Sequence, residues 1–123
     1  MRPISFAWTT PALLAGVKTV TRRDWKATHA ARHHAGDLLA AYDRQARYGG
    51  KQVAVIRLTA DPVLESTAAA PESDYQAEGF EWLQDRGIKV DKLDPRALWT
   101  AWRVFPRDLW VVRFELVEIV RRT

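Results

Sequence analysis

The sequence predicts an α+β domain, with a small barrel-like sheet of about five to six strands and short flanking helices. Short runs rich in β-branched and aromatic residues recur along the chain, and helix signals occur only in the connections between them. The 123 residues are 47% hydrophobic, which suits one core and a single domain spanning 1–123. Six tryptophans supply much of the apolar area of that core.

The N-terminal part predicts a strand, a short helix and a second strand. Residues 4–8 alternate in polarity as a strand does. Thr10 followed by Pro11 is a typical helix start, and Gly16 is positioned to end that helix in a left-handed conformation. Four β-branched residues within 17–23 predict a strand that leaves this turn.

The middle of the chain predicts a hairpin. Residues 24–35 are polar, with alanines that support a short helix, and a Gly-Asp turn follows at 36–37. Residues 38–42 and 52–60 have strand-like composition, and a glycine pair at 49–50 suits the connection between them.

The C-terminal half predicts two helices and a long last strand. An alanine-rich surface loop leads into a helix over residues 74–86, started by a capping box of Ser73 and Gln76. A second helix starts at Asp94, which a proline follows. The run 109–120 is rich in β-branched and aromatic residues, with alternate side chains from Trp110 onward sharing one face.

Charge and composition narrow the function classes. Residues 1–58 carry ten Lys/Arg against three Asp, whereas residues 59–123 carry nine Lys/Arg against twelve Asp/Glu. The basic half is a plausible footprint for phosphates, although a solvated surface explains it too. The absence of cysteine excludes disulfides and thiolate metal sites. No run has the length of a membrane span or a signal peptide core, so a cytoplasmic protein without a membrane partner is expected.

A first cluster of reactive residues follows Gly16: Lys18, Thr21, Arg22 and Arg23. A lysine held near other cations has its charged form disfavoured, which makes it a better base, and paired arginines bind phosphate or carboxylate. On a regular strand Lys18 and Thr21 point to opposite faces, so they meet only if Lys18 belongs to the turn or a bulge intervenes. The alternative is an exposed basic strand edge.

Glu78 is the second candidate. Helical spacing places it on the same apolar stripe as Tyr75 and Trp82, so its carboxylate should face inward and require a partner. The densest group of cations in the sequence is the one around Lys18. Gly79 would let the backbone approach that group closely. A structural salt bridge is the alternative.

Three histidines, His29, His33 and His34, invite a metal interpretation because the first two are four residues apart. Zinc sites normally have three or four protein ligands, and here cysteine is absent and carboxylates are few. We therefore expect no metal and no cofactor. Trp25 and Tyr42 are instead candidates to stack on a base beside the cations.

Three short motifs together resemble one known family. They are Gly16-x-Lys18-x-x-Thr21-Arg22-Arg23, the pair Gly36-Asp37 before a strand, and Ala77-Glu78-Gly79-Phe80. In this combination and order the chain resembles the ASCH domain along nearly its whole length. The resemblance implies a PUA-like fold, a small β-barrel with flanking helices, and an association with RNA.

The resemblance also implies an activity. Some small members are amidohydrolases that remove the acetyl group from N4-acetylcytidine, and their Lys-Thr-x-Thr-x-Arg-Asp string matches residues 18–24 here. By resemblance Lys18 is the base, Thr21 the nucleophile and Glu78 the carboxylate that orients or protonates. The segment 25–35 is longer and richer in histidine than in the smallest amidohydrolases.

Other members are ribonucleases or RNA-binding modules, and a non-catalytic regulatory adaptor is a further alternative. The expected partner is therefore RNA or a modified nucleoside. The residues expected to bind it are Arg22, Arg23, Trp25, Asp37 and Tyr42.

Overall fold

Six strands curl into one mixed sheet that forms a half-barrel in the computed structural model, which describes residues 1–120. The strands are β1 (Arg2–Ser5), β2 (Val20–Arg23), β3 (Leu38–Tyr42), β4 (Gln52–Leu58), β5 (Val63–Ser66) and β6 (Asp108–Ile119). The helices are α1 (Thr10–Leu14), α2 (Ala27–Ala30), α3 (Ser73–Ala77), α4 (Phe80–Asp85) and α5 (Pro95–Val104). This architecture confirms the predicted α+β class. None of the helices within residues 1–120 has the length and apolarity needed to cross a membrane.

The sheet order is β1-β3-β4-β6-β2, and β5 also pairs with β6. β1 and β3 run parallel, whereas the remaining pairs are antiparallel. The predicted hairpin is the β3–β4 pair, and the bounds of β3 are those that the sequence predicted.

The last strand, β6, organises the core. Its alternate residues Val112 and Phe114 are buried in the barrel, as predicted, but Leu109 and Val111 on the other face are buried too. The core has two parts. One fills the barrel around Ile56 and Phe114, and the other lies under the helices around Phe80 and Trp99.

The first strand and the loop before α3 differ from prediction. β1 begins at Arg2 and ends at Ser5, because the chain turns at Ala7, whose φ is +45°, into a short 3₁₀ helix. The alanine-rich segment is not simply a surface loop, since Ala70 is buried. Before it lies β5, a strand that the sequence analysis missed.

The predicted helix over residues 74–86 is wrong as one continuous helix. It breaks into α3 and α4 at Gly79, whose φ of +84° is left-handed. The capping box is wrong too, because Glu72 is the N-cap residue and no side chain caps α3. At this break the backbone packs closely against α1, since a Cβ at Gly79 would lie 2.6 Å from the Cβ of Ala12.

Replacing Gly79 with alanine should therefore lower the free energy of unfolding by about 2–4 kcal/mol, from left-handed strain plus overpacking. The matched control is Gly87→Ala: the φ of Gly87 is +66°, but no atom of residues 1–120 lies within 4 Å of an added Cβ. We expect that variant to lose only about 1–2 kcal/mol, the cost of the left-handed residue alone. Chemical denaturation of the two variants measures the difference, and equal losses would contradict the close packing at Gly79.

Candidate functional site

Lys18 and Thr21 reach a common cavity because the strand starts late. Gly16, with a φ of +77°, ends α1, and the backbone N–H groups of Val17 and Lys18 both donate to the carbonyl oxygen of Ala12. Lys18 thus belongs to the turn, and β2 begins only at Val20. The alternation that would separate Lys18 from Thr21 on a strand does not apply to them.

The cavity has a volume of about 250 Å³ and lies between the sheet and the helical layer. Its polar lining is Ser5, Thr9, Lys18, Thr21, Arg22, Arg23 and Glu78, and its apolar lining includes Phe6, Phe80, Val90, Leu98 and Trp102. A small cavity with an apolar wall and a few converging polar groups is typical of a small-molecule site. Lys18, Thr21 and Glu78, the three proposed catalytic residues, all line it.

Glu78 accepts hydrogen bonds from two buried cations. The Lys18 Nζ donates to Glu78 Oε1 at 3.0 Å and to the Glu78 carbonyl oxygen at 2.9 Å. Arg22 Nη1 donates to the other carboxylate oxygen, Oε2, at 2.7 Å. Glu78 is 2% exposed, so it is as buried as the inward helix face predicted. The carboxylate therefore fixes the positions of both cations.

The network continues through two residues that the sequence analysis missed, Asp74 and Arg113. Arg22 Nη2 donates to Asp74 Oδ2 at 2.5 Å. Arg113 on β6 donates to both carboxylate oxygens of Asp74, at 3.0 and 2.9 Å. The spacing of Asp74 and Glu78, four residues apart, was the available signal, because it puts two carboxylates on one helix face. Both terminal nitrogens of Arg22 thus donate to carboxylates.

Burial is the main influence on the pKa of Lys18. It lowers that pKa below the usual 10.5, and the positive charges of Arg23 and Arg22 act in the same direction. The carboxylate of Glu78 opposes the shift without cancelling it. The neutral amine, which is the form that accepts a proton, is therefore more accessible than in an ordinary lysine.

Arg23 is the cation that contacts Thr21. Its Nε donates to Thr21 Oγ1 at 3.0 Å, and its guanidinium lies over the ring of Phe6. Burial lowers the pKa of Arg23 to about 10, partly offset by Glu78, so the group stays charged at neutral pH. Unlike Arg22, Arg23 forms no ion pair with any carboxylate within residues 1–120.

The remaining predicted binding residues lie elsewhere. Trp25 and Tyr42 line a second cavity of about 380 Å³, which shares Ser5 and Arg23 with the first. Asp37 lines neither cavity. It is held in the turn before β3, where its carboxylate accepts the backbone N–H of His34 at 2.9 Å, so the structure does not place it with the other site residues.

The histidines form part of the packing around Trp25. His33 is buried and stacks on that indole with ring centroids 4.6 Å apart, and His29 meets the indole edge-on. A ring nitrogen of His33 lies 3.0 Å from the carbonyl oxygen of His29. Residues 1–120 contain no group of three or more His, Asp or Glu side chains arranged to hold a metal ion.

Comparison with known proteins gives evidence on the fold. No family model matches this chain. No curated protein matches it either. Among solved structures it is similar to the crystal structure of protein EF3133 from Enterococcus faecalis V583, described under the family model DUF984. The TM-score is 0.57 at 18% identity, over 100% of this chain and 85% of that one. At this identity the similarity supports the small α+β barrel and carries no activity over.

Proposed function

We propose that this chain is an ASCH-type, PUA-like domain that binds a modified nucleoside and hydrolyses the acetyl amide of N4-acetylcytidine. The observation that carries the proposal is the meeting of Lys18, Thr21 and Glu78 in one cavity, from the turn after α1, from β2 and from the end of α3. These are the residues to which the ASCH resemblance assigns the base, the nucleophile and the carboxylate. The size and mixed lining of the cavity suit a nucleobase with a small acyl group.

The first step activates Thr21. Neutral Lys18, favoured by its lowered pKa, accepts the proton of the Thr21 hydroxyl, directly or through one water. The Arg23 Nε already donates to that hydroxyl oxygen at 3.0 Å, and its positive charge stabilises the developing alkoxide.

The acetyl group then passes from N4 to Thr21 and from Thr21 to water. Thr21 Oγ1 attacks the acetyl carbonyl carbon, and the resulting oxyanion lies in the field of Arg23. The C–N4 bond breaks, N4 takes the proton carried by Lys18, and cytidine leaves with Thr21 acetylated. Water, deprotonated by Lys18, attacks the ester carbonyl carbon, and the bond from that carbon to Thr21 Oγ1 breaks. Thr21 Oγ1 takes the proton from Lys18, and the acetic acid formed loses its proton to solvent and leaves as acetate.

Glu78 and Arg22 position the base in this scheme. Glu78 holds Lys18 through its carbonyl and one carboxylate oxygen, and Arg22 holds the other oxygen. Because these contacts are buried, they keep the amine in one orientation without water competing for it. Arg22, occupied by Glu78 and Asp74, then acts as a support for Glu78 rather than as the ligand clamp that the sequence predicted.

The test is to incubate the purified protein with N4-acetylcytidine and to quantify cytidine and acetate by chromatography. We expect the two products in equal amounts, at a rate proportional to enzyme concentration. N4-acetylcytosine, which lacks the ribose, tests recognition of the sugar. An acetylated adenosine, which has a different base, tests recognition of the base. Intact N4-acetylcytidine after long incubation with folded protein rules out the hydrolase.

A binding module without hydrolysis is the second candidate, and the double hydrogen bond from Lys18 to Glu78 favours it. Those two acceptors also suit a permanently charged, structural lysine. In that case affinity for RNA or a nucleotide should fall with salt and survive loss of the Thr21 hydroxyl. Labelled single-stranded RNA, followed for both retention and cleavage, separates binding from ribonuclease activity.

A further inference from the structure

A second cavity adjoins the candidate catalytic cavity. It has a volume of about 380 Å³ and lies between β1, the end of β3 and the 3₁₀ turn Ala46–Tyr48. Ser5 and Arg23 line both cavities, so the two spaces meet at these side chains. A ligand that fills the deep cavity can therefore extend past Arg23 into the second one.

The second cavity is rich in hydrogen-bond donors that have no acceptor among residues 1–120. In that part of the chain the Arg23 guanidinium donates through Nε to Thr21, and the Arg47 guanidinium donates through Nε to Gln45. The terminal nitrogens of both guanidinium groups and the hydroxyl of Tyr42 have no hydrogen-bond partner within residues 1–120. Among the described residues, no Asp or Glu lines this cavity.

This pattern contrasts with the deep cavity, where Arg22 and Lys18 are neutralised by Glu78 and Asp74. Two guanidinium groups without a carboxylate, one of them half-buried, form a site for an anion rich in acceptors. His29, which also lines the space, adds no charge at neutral pH, because burial lowers its pKa below the usual 6.5. The charge of the site therefore comes from the two arginines.

We propose that the second cavity is a phosphate subsite, in which Arg23, Arg47 and the Tyr42 hydroxyl bind the phosphate of a nucleotide whose base occupies the Lys18 cavity. This inference rests on the proposed function for the identity of the base. It changes the substrate class from a free nucleoside to a phosphorylated one. The phosphate is either a monoester on a free nucleotide or a diester within a short single strand, since both present the same oxygens to the arginines.

The test is calorimetric titration of the whole protein with matched ligands. They are N4-acetylcytidine, its 5′-monophosphate, a trinucleotide carrying the acetylated base in the middle, and the unacetylated pair cytidine and cytidine 5′-monophosphate. We expect each phosphorylated ligand to bind about tenfold or more tightly than the matching nucleoside, as hydrogen bonds to a charged group imply. The ratio should shrink as salt is raised.

Arg47→Glu should remove that preference and leave the affinity for the nucleosides unchanged. Arg44→Glu is the matched control: Arg44 is exposed in the same loop but lines neither cavity, so it should keep the preference. Equal affinity of nucleoside and nucleotide in the wild type, or the same effect from both substitutions, overturns the subsite.

The two proposals can fail separately. Hydrolysis of N4-acetylcytidine with no gain from phosphate overturns the subsite and leaves the amidohydrolase standing. A preference for nucleotides that depends on Arg47, without any hydrolysis, supports the subsite and overturns the amidohydrolase. Tighter binding of the trinucleotide identifies the diester as the source, and tighter binding of the monophosphate identifies the monoester.

Discussion

Thr21→Val should reduce the hydrolysis of N4-acetylcytidine by about a thousandfold or more, because it removes the nucleophile and leaves only positioning and electrostatic effects. Valine has nearly the shape of threonine, and the site is 5% exposed, so the side-chain volume is retained. Within residues 1–120 the hydroxyl accepts a hydrogen bond from Arg23, whose Nε loses this acceptor in the variant. Steady-state kinetics measure kcat, and calorimetry with the same nucleoside should show little change in Kd.

Thr9→Val is the matched control for this prediction. Thr9 also lines the deep cavity, but its hydroxyl donates to the carbonyl oxygen of Phe6 and takes no part in the proposed reaction. We expect it to retain kcat within about a factor of ten, as suits the loss of one neutral hydrogen bond. A Thr21→Val enzyme as active as Thr9→Val would exclude the covalent route.

The pH profile adds a second readout from the same assay. If neutral Lys18 is the base, kcat/KM should rise with pH and level off above a pKa that lies below 10.5. Lys18→Met should lose both the activity and its rise with pH. If the lysine were purely structural, the wild-type kcat/KM would show no such rise.

The second large effect concerns Asp74. Asp74→Ala should lower the free energy of unfolding by about 3 kcal/mol, because it leaves the buried guanidinium of Arg22 without one of its two carboxylates. This loss is at the lower end of the range for breaking a buried ion pair, because Arg22 keeps its ion pair with Glu78 and the Arg113 side chain is 40% exposed. Denaturant titration with circular dichroism measures the change.

Asp24→Ala is the control for this loss. Asp24 also pairs with an arginine, Arg107, at 2.8 Å, but the two side chains are 75% and 55% exposed. Exposed pairs of this kind contribute about 0–1 kcal/mol. Similar losses from Asp74→Ala and Asp24→Ala would mean that the buried network adds nothing beyond an ordinary surface pair.

Acid should abolish the difference between wild type and Asp74→Ala. Burial alone would raise the pKa of Asp74, but the hydrogen bonds and charges of Arg113 and Arg22 outweigh it and hold the pKa below 3.8. A carboxyl whose pKa is lowered by folding stabilises the native state fully above its unfolded pKa. That contribution declines as pH falls below 3.8 through the lower folded pKa, so the two unfolding free energies should converge there.

Much of the fold was predictable because local signals agreed with it. The strand-like composition and the Gly-Asp turn before it gave β3 its correct bounds, and Gly16 ended α1 as expected. β5 was missed because Val63 and Leu64 are both about half exposed and show no alternation. Its strand conformation comes from pairing with β6, which lies far along the chain.

The site was predictable only in part, for a similar reason. Glu78 faces inward as the helical spacing suggested, and Gly79 allows the close backbone approach expected of it. The break at Gly79 was not predicted, because a glycine fits a helix interior as well as a left-handed turn and the sequence pattern alone does not distinguish the two. In the sequence Asp74 cannot be distinguished from an ordinary surface acid, because Arg22 and Arg113 come beside it only in the folded chain. Which of Arg22 and Arg23 can bind a ligand likewise depends on which of them lies beside the carboxylates in the folded chain.

The position of β6 has a consequence for how the chain folds. This strand bonds to β2 along one edge and to β4 and β5 along the other, and it is the final element of the described chain. During synthesis, β2 and β5 therefore have no strand partner until residues 108–119 emerge, and β4 can pair only with β3 until then. Since pairing of this kind closes long loops, assembly should be slow and nearly all-or-none, and β2, with Thr21 at its centre, should gain protection from amide exchange only in the final step.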